Sequence, residues 1–142
     1  MKNYKATTIT YWTATAFIFL FEGVMPALTS NSQLAVEGIR HLGYPDYFRV
    51  MLTVFKVVGA LALILPFINK RIKEWAYAGF SFTAISAFVS HTAVDGFGVQ
   101  AAFPLFVLAI LAVSYLSYHR IAKYRQLRNS GESEYNVDGV LS

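Results

Sequence analysis

The chain has 142 residues, of which 56% are hydrophobic, 16% aromatic and only 14% charged. A soluble domain carries roughly 25% charged residues, so this composition argues against an ordinary soluble protein and favours a membrane protein. The net charge of +4 comes from Lys and Arg residues at the ends of apolar segments and does not indicate nucleic-acid binding, while the absence of cysteine excludes disulfides, thiolate nucleophiles, iron–sulfur clusters and cysteine zinc sites.

Four long apolar segments predict membrane-spanning helices, at about residues 8–28, 48–68, 75–94 and 100–118. Each is close to the ~20 residues that a helix needs to cross a ~30 Å hydrocarbon core. We therefore predict an all-α membrane protein, a four-transmembrane-helix bundle formed by residues 1–124. Because Lys2 and Lys5 precede the first segment, a signal peptide is the alternative there. The length of that segment, the glutamate inside it and the lack of a clear cleavage site before Thr29 favour a span.

The connection between the first two spans predicts a short helix. Asn31 or Ser32 is a suitable N-cap, and Gly43 followed by Pro45 is a normal stop. Apolar side chains share one face of this segment and charged side chains point away, which favours a helix lying in the outer membrane interface. At the other end of the chain, residues 125–142 are polar and aperiodic, and we predict a disordered cytoplasmic tail.

The basic residues predict the orientation of the chain. They cluster at the N-terminus, in the second connection and after the fourth span, which all fall on one side of a four-span protein: Lys2, Lys5, Lys70, Arg71, Lys73, Arg120, Lys123, Arg125 and Arg128. Because Lys and Arg favour the cytoplasmic side, both termini are predicted to be cytoplasmic in an inner (plasma) membrane. Aromatic residues near the span ends are predicted to mark the interfaces: Tyr11, Trp12, Tyr44, Tyr47, Trp75, Tyr77, Tyr115 and Tyr118.

Four ionisable residues from three spans lie at similar depth. At ~1.5 Å per residue, Glu22 lies about 9 Å, Lys56 about 12 Å and His91 about 5 Å below the outer surface. Asp95 lies at the rim, and no ionisable group occupies the inner half of any predicted span. The fourth span offers only modest polar groups, Ser114 among them, so it is predicted to form a wall and not a site.

A lone charge inside the membrane costs ~2.5–3.5 kcal/mol on insertion scales. We therefore predict an ion pair between Glu22 and Lys56, with His91 and Asp95 above it. The pair either fixes only the register of the helices or forms an outward-facing polar pocket that binds a small or quinone-like head group or relays protons. Pro26 leaves the Glu22 carbonyl without its helical donor, which either opens such a pocket or marks an ordinary helix end.

Two further kinds of site find little support in the sequence. The three histidines, His41, His91 and His119, include no pair placed to hold a haem across the bundle. No metal or flavin site is evident, so the cofactor is unknown and none is intrinsic, a bound quinone being possible.

Several motifs together resemble DoxX-like proteins. They are FEGVMP, HLGYPDYF, KVVGALALILP, IKEWAYAGFSF and SHTAVDG, and the resemblance runs from about Tyr11 to Phe106. It implies a small four-helix integral membrane protein, mostly bacterial, from a family named after a subunit of an archaeal thiosulfate:quinone oxidoreductase. Most members have no established activity. The resemblance places the usual intramembrane polar residues at Glu22, Lys56 and His91, whereas the order Asp95-Gly96 departs from the common Gly-Asp ending.

Three functions remain open on this basis. The first is a membrane subunit or binding module of a redox or envelope system, which would contact the lipid bilayer and a redox partner subunit or a second copy of itself. It would not be an autonomous thiol or metal enzyme. The second is a small oligomeric transporter or proton-coupled carrier, although no inverted repeat is visible. The third is a structural or assembly factor whose ion pair only fixes packing.

Overall fold

The computed structural model describes residues 2–141, and every regular element among them is helical. In chain order the elements are α1 (Lys2–Ile18), a π-helical segment (Phe19–Val24), α2 (Met25–Thr29), α3 (Gln33–His41), α4 (Asp46–Ile64), α5 (Lys70–Asp95) and α6 (Val99–Leu141). The first three follow one another without a break, so the N-terminal 28 described residues form a single rod with a π turn inside it.

Three stretches are long and apolar enough to cross a membrane, namely Asn3–Thr29, Asp46–Ile64 and Val99–Tyr135. They correspond to the predicted first, second and fourth spans. The helix α5, predicted as the third span, is not among them, because its serine, threonine, tyrosine and glycine residues lower its hydropathy. Its 26 residues nevertheless extend about 39 Å at ~1.5 Å per residue. An all-α membrane protein is therefore established, and the crossing by α5 stays a prediction.

The first connection does contain the predicted short helix, α3. Its N-cap is Ser32, whose side-chain oxygen accepts a hydrogen bond from the backbone N–H of Ala35 at 3.3 Å. After α3 the chain turns at Gly43, which has a φ of 88°, a conformation that favours glycine because it has no Cβ. The helix is confirmed, and its location at a membrane interface stays a prediction.

The helices pack in a defined order around one core. The long helix α6 lies along both α1 and α5, while α4 packs against α5 and against the π segment. The buried core joins residues from four of these elements: Ile18, Ala60, Leu63, Tyr77, Phe80, Val107 and Leu111. Outside this core, large apolar side chains are exposed on every long helix, among them Phe55, Phe82 and Leu116. Exposed apolar surface on this scale fits a lipid environment.

The helix α6 continues through most of the C-terminal segment that we predict to be disordered. Residues 125–135 are exposed along it, and this stretch is polar and includes Gly131. A polar helix without packing is only marginally stable in water, so disorder of this tail stays a prediction about its behaviour in solution.

Candidate functional site

Glu22 and Lys56 form an ion pair between the π segment and α4. The Lys56 Nζ lies 2.7 Å from the Glu22 Oε2, and the two side chains are 22% and 12% exposed, respectively. The structure therefore brings together the two residues that the sequence predicts to pair. Each charge neutralises the other at a point where either one alone would be expensive.

The π segment positions Glu22. The backbone N–H of Met25 bonds to the carbonyl of Leu20, five residues earlier, instead of the usual four. The next residue, Pro26, has no N–H to donate, so the ordinary bonding pattern is already interrupted at this point. The helix accommodates the interruption with a wider turn and then continues to Thr29. Neither sequence-based interpretation of Pro26 anticipated this: the helix does not end there.

Small residues bring the two helices of the pair close together. A Cβ placed on Gly23 would lie only 2.6 Å from the Cβ of Ala60, and Ala60 itself is completely buried. Small side chains allow such close approach of helices in lipid. This contact lies next to Glu22 in the chain and one helical turn from Lys56, so it sets the distance across which the ion pair forms.

A second set of polar groups ties the end of α2 to α4, one turn before Lys56 along α4. The hydroxyls of Ser30 and Thr53 are 2.9 Å apart, and Thr53 also donates to the carbonyl of Arg49 at 2.8 Å. The Arg49 guanidinium donates to Ser30 Oγ at 3.0 Å, to Asn31 Oδ1 at 3.1 Å and to the Ser30 carbonyl.

The other two predicted site residues lie on the last turns of α5. Asp95 Oδ1 is 2.7 Å from Nε2 of His41 on α3, and both side chains are partly exposed. His91 is half-buried, and its Nδ1 is buried with no hydrogen-bond partner among residues 2–141. Within the described chain, neither His91 nor Asp95 makes a hydrogen bond or ion pair with Glu22 or Lys56.

An open groove of about 380 Å³ lies between α4 and α5 and reaches Lys56. Its walls are mainly apolar and include Phe55, Trp75 and Phe80, and among the described residues only Lys56 brings a charge to its lining. Lys56 therefore belongs to two features, since its ammonium pairs with Glu22 while its side chain also lines the groove.

Sequence reasoning missed a buried lysine at the opposite end of the bundle. Lys73, placed in a connection by the sequence, is 3% exposed in the first turn of α5. Its Nζ donates to the Leu63 carbonyl at 2.9 Å and to the Tyr11 hydroxyl at 3.4 Å, and it lies 5.7 Å from the ring centre of Tyr118. Because α4 ends at Ile64, the Leu63 carbonyl has no donor within its own helix, and Lys73 supplies one.

A row of buried hydroxyls continues from this lysine into the core. Ser114 is fully buried, with its Oγ 2.8 Å from both the Thr15 Oγ1 and the Tyr77 hydroxyl. One prediction is therefore wrong, because Tyr11 and Tyr77 are core residues and not interface markers. Ser114 links α6 to α1 and α5, and that α6 forms a wall and not a site stays a prediction. Tyr11 and Thr15 are four residues apart and so lie on one face of α1, and this spacing is the sequence signal that could have located the row.

The described residues contain no group of three or more His, Asp or Glu side chains that could hold a metal ion. His119 on α6 is close to one carboxylate, since its Nε2 lies 3.0 Å from the Glu74 Oε1, but the two are poorly aligned for a hydrogen bond. This pair lies near the start of α5 and the middle of α6, and it forms no larger cluster of this kind within residues 2–141.

The family model for DoxX-like proteins matches residues 10–114. The chain belongs to the DoxX-like family. The matched region contains Glu22, Lys56, His91 and Asp95, and it also contains the buried hydroxyls of Thr15, Tyr77 and Ser114. No curated protein and no solved structure matches this DoxX-like chain.

Proposed function

We propose that this DoxX-like protein crosses the inner membrane four times, with α5 as the third span and both termini in the cytoplasm. The length of α5 supports a crossing, and its packing between α4 and α6 supports its place inside the bundle. The distribution of Lys and Arg supports the orientation. In this arrangement α3 lies in the outer interface, where its exposed Leu34 would meet lipid and its Glu37 would meet water.

Within this arrangement the protein functions as a ligand-binding membrane module, which holds a small quinone-like molecule in the groove between α4 and α5. One observation carries this proposal: Lys56 lines an apolar groove while its charge is balanced by Glu22. The ammonium has hydrogen atoms left after pairing, because it carries three donors. A carbonyl oxygen of a ligand head group can accept one of them.

The size and lining of the groove favour a flat, apolar ligand. Small-molecule sites typically enclose ~300–1,000 Å³ and combine apolar walls with a few polar groups, and a groove of about 380 Å³ falls within that range. Phe55, Trp75 and Phe80 offer aromatic faces against which a ring can stack. Because the chain has no cysteine, any redox role would need the bound quinone or a partner subunit, as in a membrane oxidoreductase.

His91 and Asp95 lie on the last turns of α5, outside the residues that line the groove, and in this proposal they form a separate polar rim beyond it. The buried Nδ1 of His91 has no partner among the described residues, as expected for a ring nitrogen that a ligand or water would complete. Asp95 belongs to the rim, where its pairing with His41 holds α3 over the end of α5.

The tryptophans allow a direct test of this proposal. The chain has two, and Trp75 lines the groove whereas Trp12 does not. In a Trp12→Phe protein, a short-chain benzoquinone should quench the fluorescence of Trp75 in a saturable manner. In a Trp75→Phe protein, Trp12 should show only linear, collisional quenching. Saturable quenching of Trp12, or none of Trp75, would contradict binding in this groove.

The ion pair is tested in the Trp12→Phe background. Glu22→Gln or Lys56→Met alone strands a charge and should destabilise the protein by ~3–5 kcal/mol, more than the double substitution does. The double variant should fold yet bind the quinone at least tenfold more weakly, since a hydrogen bond to a charged group contributes ~1.5–3 kcal/mol. If the folded double variant binds normally, the pair has a purely structural role.

A further inference from the structure

A second cavity lies far from this groove, between the beginning of α1 and the C-terminal half of α6. Its volume is about 740 Å³, and its walls combine two basic side chains with hydroxyl and apolar groups. Arg120 and Lys123 come from α6, and Thr7 comes from α1. The two helices run antiparallel here, because Tyr4 packs on Tyr124 at a ring distance of 5.9 Å while Thr15 meets α6 ten residues earlier at Ser114.

The charge in this cavity is not balanced by the protein. Residues 1–21 and 96–131 contain no Asp or Glu, so neither of the two helices offers a carboxylate near the cavity. Within residues 2–141, Arg120 and Lys123 form no ion pair. The carboxylate that approaches this part of α6 belongs to Glu74 of α5, and it lies beside His119, the residue before Arg120. Two cations beside a cavity without a counter-charge favour an anionic ligand.

An apolar surface continues from this cavity toward the middle of the spans. Ser117 is in the cavity wall, and Val113, one turn deeper on the same face of α6, is 43% exposed. Leu116 on α6 and Ile9 on α1 are also exposed at this depth. A molecule with an anionic head and an apolar chain matches both parts: the cations near the span ends and the apolar surface below them.

We propose that the cavity between α1 and α6 binds the head group of an anionic phospholipid. The phosphate lies between Arg120 and Lys123, and one acyl chain follows the exposed surface that includes Val113 and Leu116. Basic pockets between spanning helices are suited to such head groups. A free phosphate ion shares the head-group chemistry but would make no use of the apolar surface, so the two ligands can be told apart by experiment.

The test uses the full-length protein in neutral detergent and native mass spectrometry. Phosphatidylglycerol and phosphatidylcholine of identical chain length are added in separate titrations, and the fraction of protein with one bound lipid is measured. We expect a saturable first binding event for phosphatidylglycerol and a much weaker one for phosphatidylcholine. Equal binding of both lipids would overturn the proposal. Displacement of phosphatidylglycerol by millimolar inorganic phosphate would also overturn it, because the cavity would then be a binding site for free phosphate and not for a lipid.

Two double variants separate this cavity from general surface charge. Arg120→Gln with Lys123→Gln removes both cations of the cavity, and Lys70→Gln with Arg71→Gln removes two exposed cations at the start of α5. Both change the net charge equally and on the same proposed side of the membrane. Because each basic residue contributes about fivefold to the affinity for an anionic lipid, the first variant should bind phosphatidylglycerol about 25-fold more weakly. The second variant should bind it nearly as the wild type does. Equal weakening in both would overturn the proposal.

A third variant changes the shape of the cavity and keeps its charge. Ala6 is exposed on α1 and lines the cavity, so Ala6→Phe would fill part of the space. We expect it to lose the first phosphatidylglycerol while the thermal midpoint in phosphatidylcholine nanodiscs stays within a few degrees of the wild type. A fully folded Ala6→Phe protein that binds as the wild type does would show that the lipid lies elsewhere.

Discussion

Two buried or half-buried lysines in this protein are stabilised in different ways. Lys56 lies against a carboxylate, Glu22, so its charge is neutralised. Lys73 is more deeply buried and has no carboxylate among its hydrogen-bond partners; its ammonium donates to a helix-end carbonyl and a phenol and lies near an aromatic face. The C-terminal end of a helix carries partial negative charge, which favours a cation there. Lys73 thus both caps α4 and connects it to α5.

Replacement of Lys73 should therefore destabilise the protein even though no ion pair is lost. In Lys73→Met the Leu63 carbonyl keeps only the longer hydrogen bond from the Tyr11 hydroxyl, at 3.4 Å, and loses one from a charged group, which contributes ~1.5–3 kcal/mol. The measurement is the unfolding midpoint of the purified protein in detergent.

Lys70→Met is the matched control for that substitution. Lys70 is exposed at the first position of α5, three residues before Lys73, so the same chemical change should leave the midpoint nearly unchanged. Similar midpoints for the two variants would mean that the cap at Leu63 contributes nothing.

At the scale of the helices, the π segment and α4 meet through a contact that tolerates no additional atom. The widened turn before Pro26 places Gly23 against Ala60 and Glu22 opposite Lys56. π turns of this kind are often found at functional sites, because they redirect side chains without ending the helix. The close approach and the ion pair are therefore parts of one helix–helix interface.

Gly23→Ala should force these helices apart and destabilise the protein by ~1–3 kcal/mol, as overpacking commonly does. The physical reason is the 2.6 Å separation between the added Cβ and the Cβ of Ala60. Unfolding midpoints measure the loss, and Gly38→Ala, where a Cβ meets nothing within 4 Å, serves as the control.

The double variant Gly23→Ala with Ala60→Gly exchanges the two residues, so that one glycine again faces one alanine at that contact. We expect it to recover most of the stability lost in Gly23→Ala. If the double variant is as unstable as the sum of the two single variants, the contact does not limit the approach of the helices.

At the scale of the whole molecule, the cysteine-free chain makes the proposed topology directly measurable. Single cysteines at Glu37, Lys70 and Ser130 report on α3, the start of α5 and the C-terminal tail, all at exposed positions. With a membrane-impermeant maleimide, Glu37→Cys should react in intact cells. Lys70→Cys and Ser130→Cys should react only after permeabilisation.

The outcome for Lys70 is the most informative of the three. If α4 crosses the membrane, Lys70 and Glu37 lie on opposite sides, and if α5 and α6 both cross, Lys70 and Ser130 lie on the same side. Labelling of both Glu37→Cys and Lys70→Cys in intact cells would contradict the orientation or the second crossing, and labelling of Ser130→Cys without Lys70→Cys would contradict the crossing by α5 or the placement of the C-terminus.

Much of the fold was predictable because a membrane-spanning helix needs a long apolar segment, and such segments are visible in the sequence. Long apolar runs predicted the end of the first rod, both ends of α4 and the start of α6 to within about four residues, whereas α1 begins and α6 ends well outside the predicted spans. Turn residues such as Gly43 marked the separation of the helices. The pair of Glu22 and Lys56 was also predictable, because a charge at membrane depth requires a partner and only a few were available. Expectations for Tyr11 and Tyr77 failed, because a rule about average positions in membranes cannot tell an interface residue from a core residue.

The sequence by itself determined that this is a helical membrane protein and which two charges meet inside it. Both follow from the free-energy cost of placing polar groups in lipid. The polarity of each residue is known from the sequence alone, without knowledge of how the helices pack. Only the tertiary structure revealed the π turn, the contact between Gly23 and Ala60, the capping by Lys73 and the hydroxyl row through Ser114. These features depend on which helix faces lie against each other, and hydropathy along the chain carries no information about that choice.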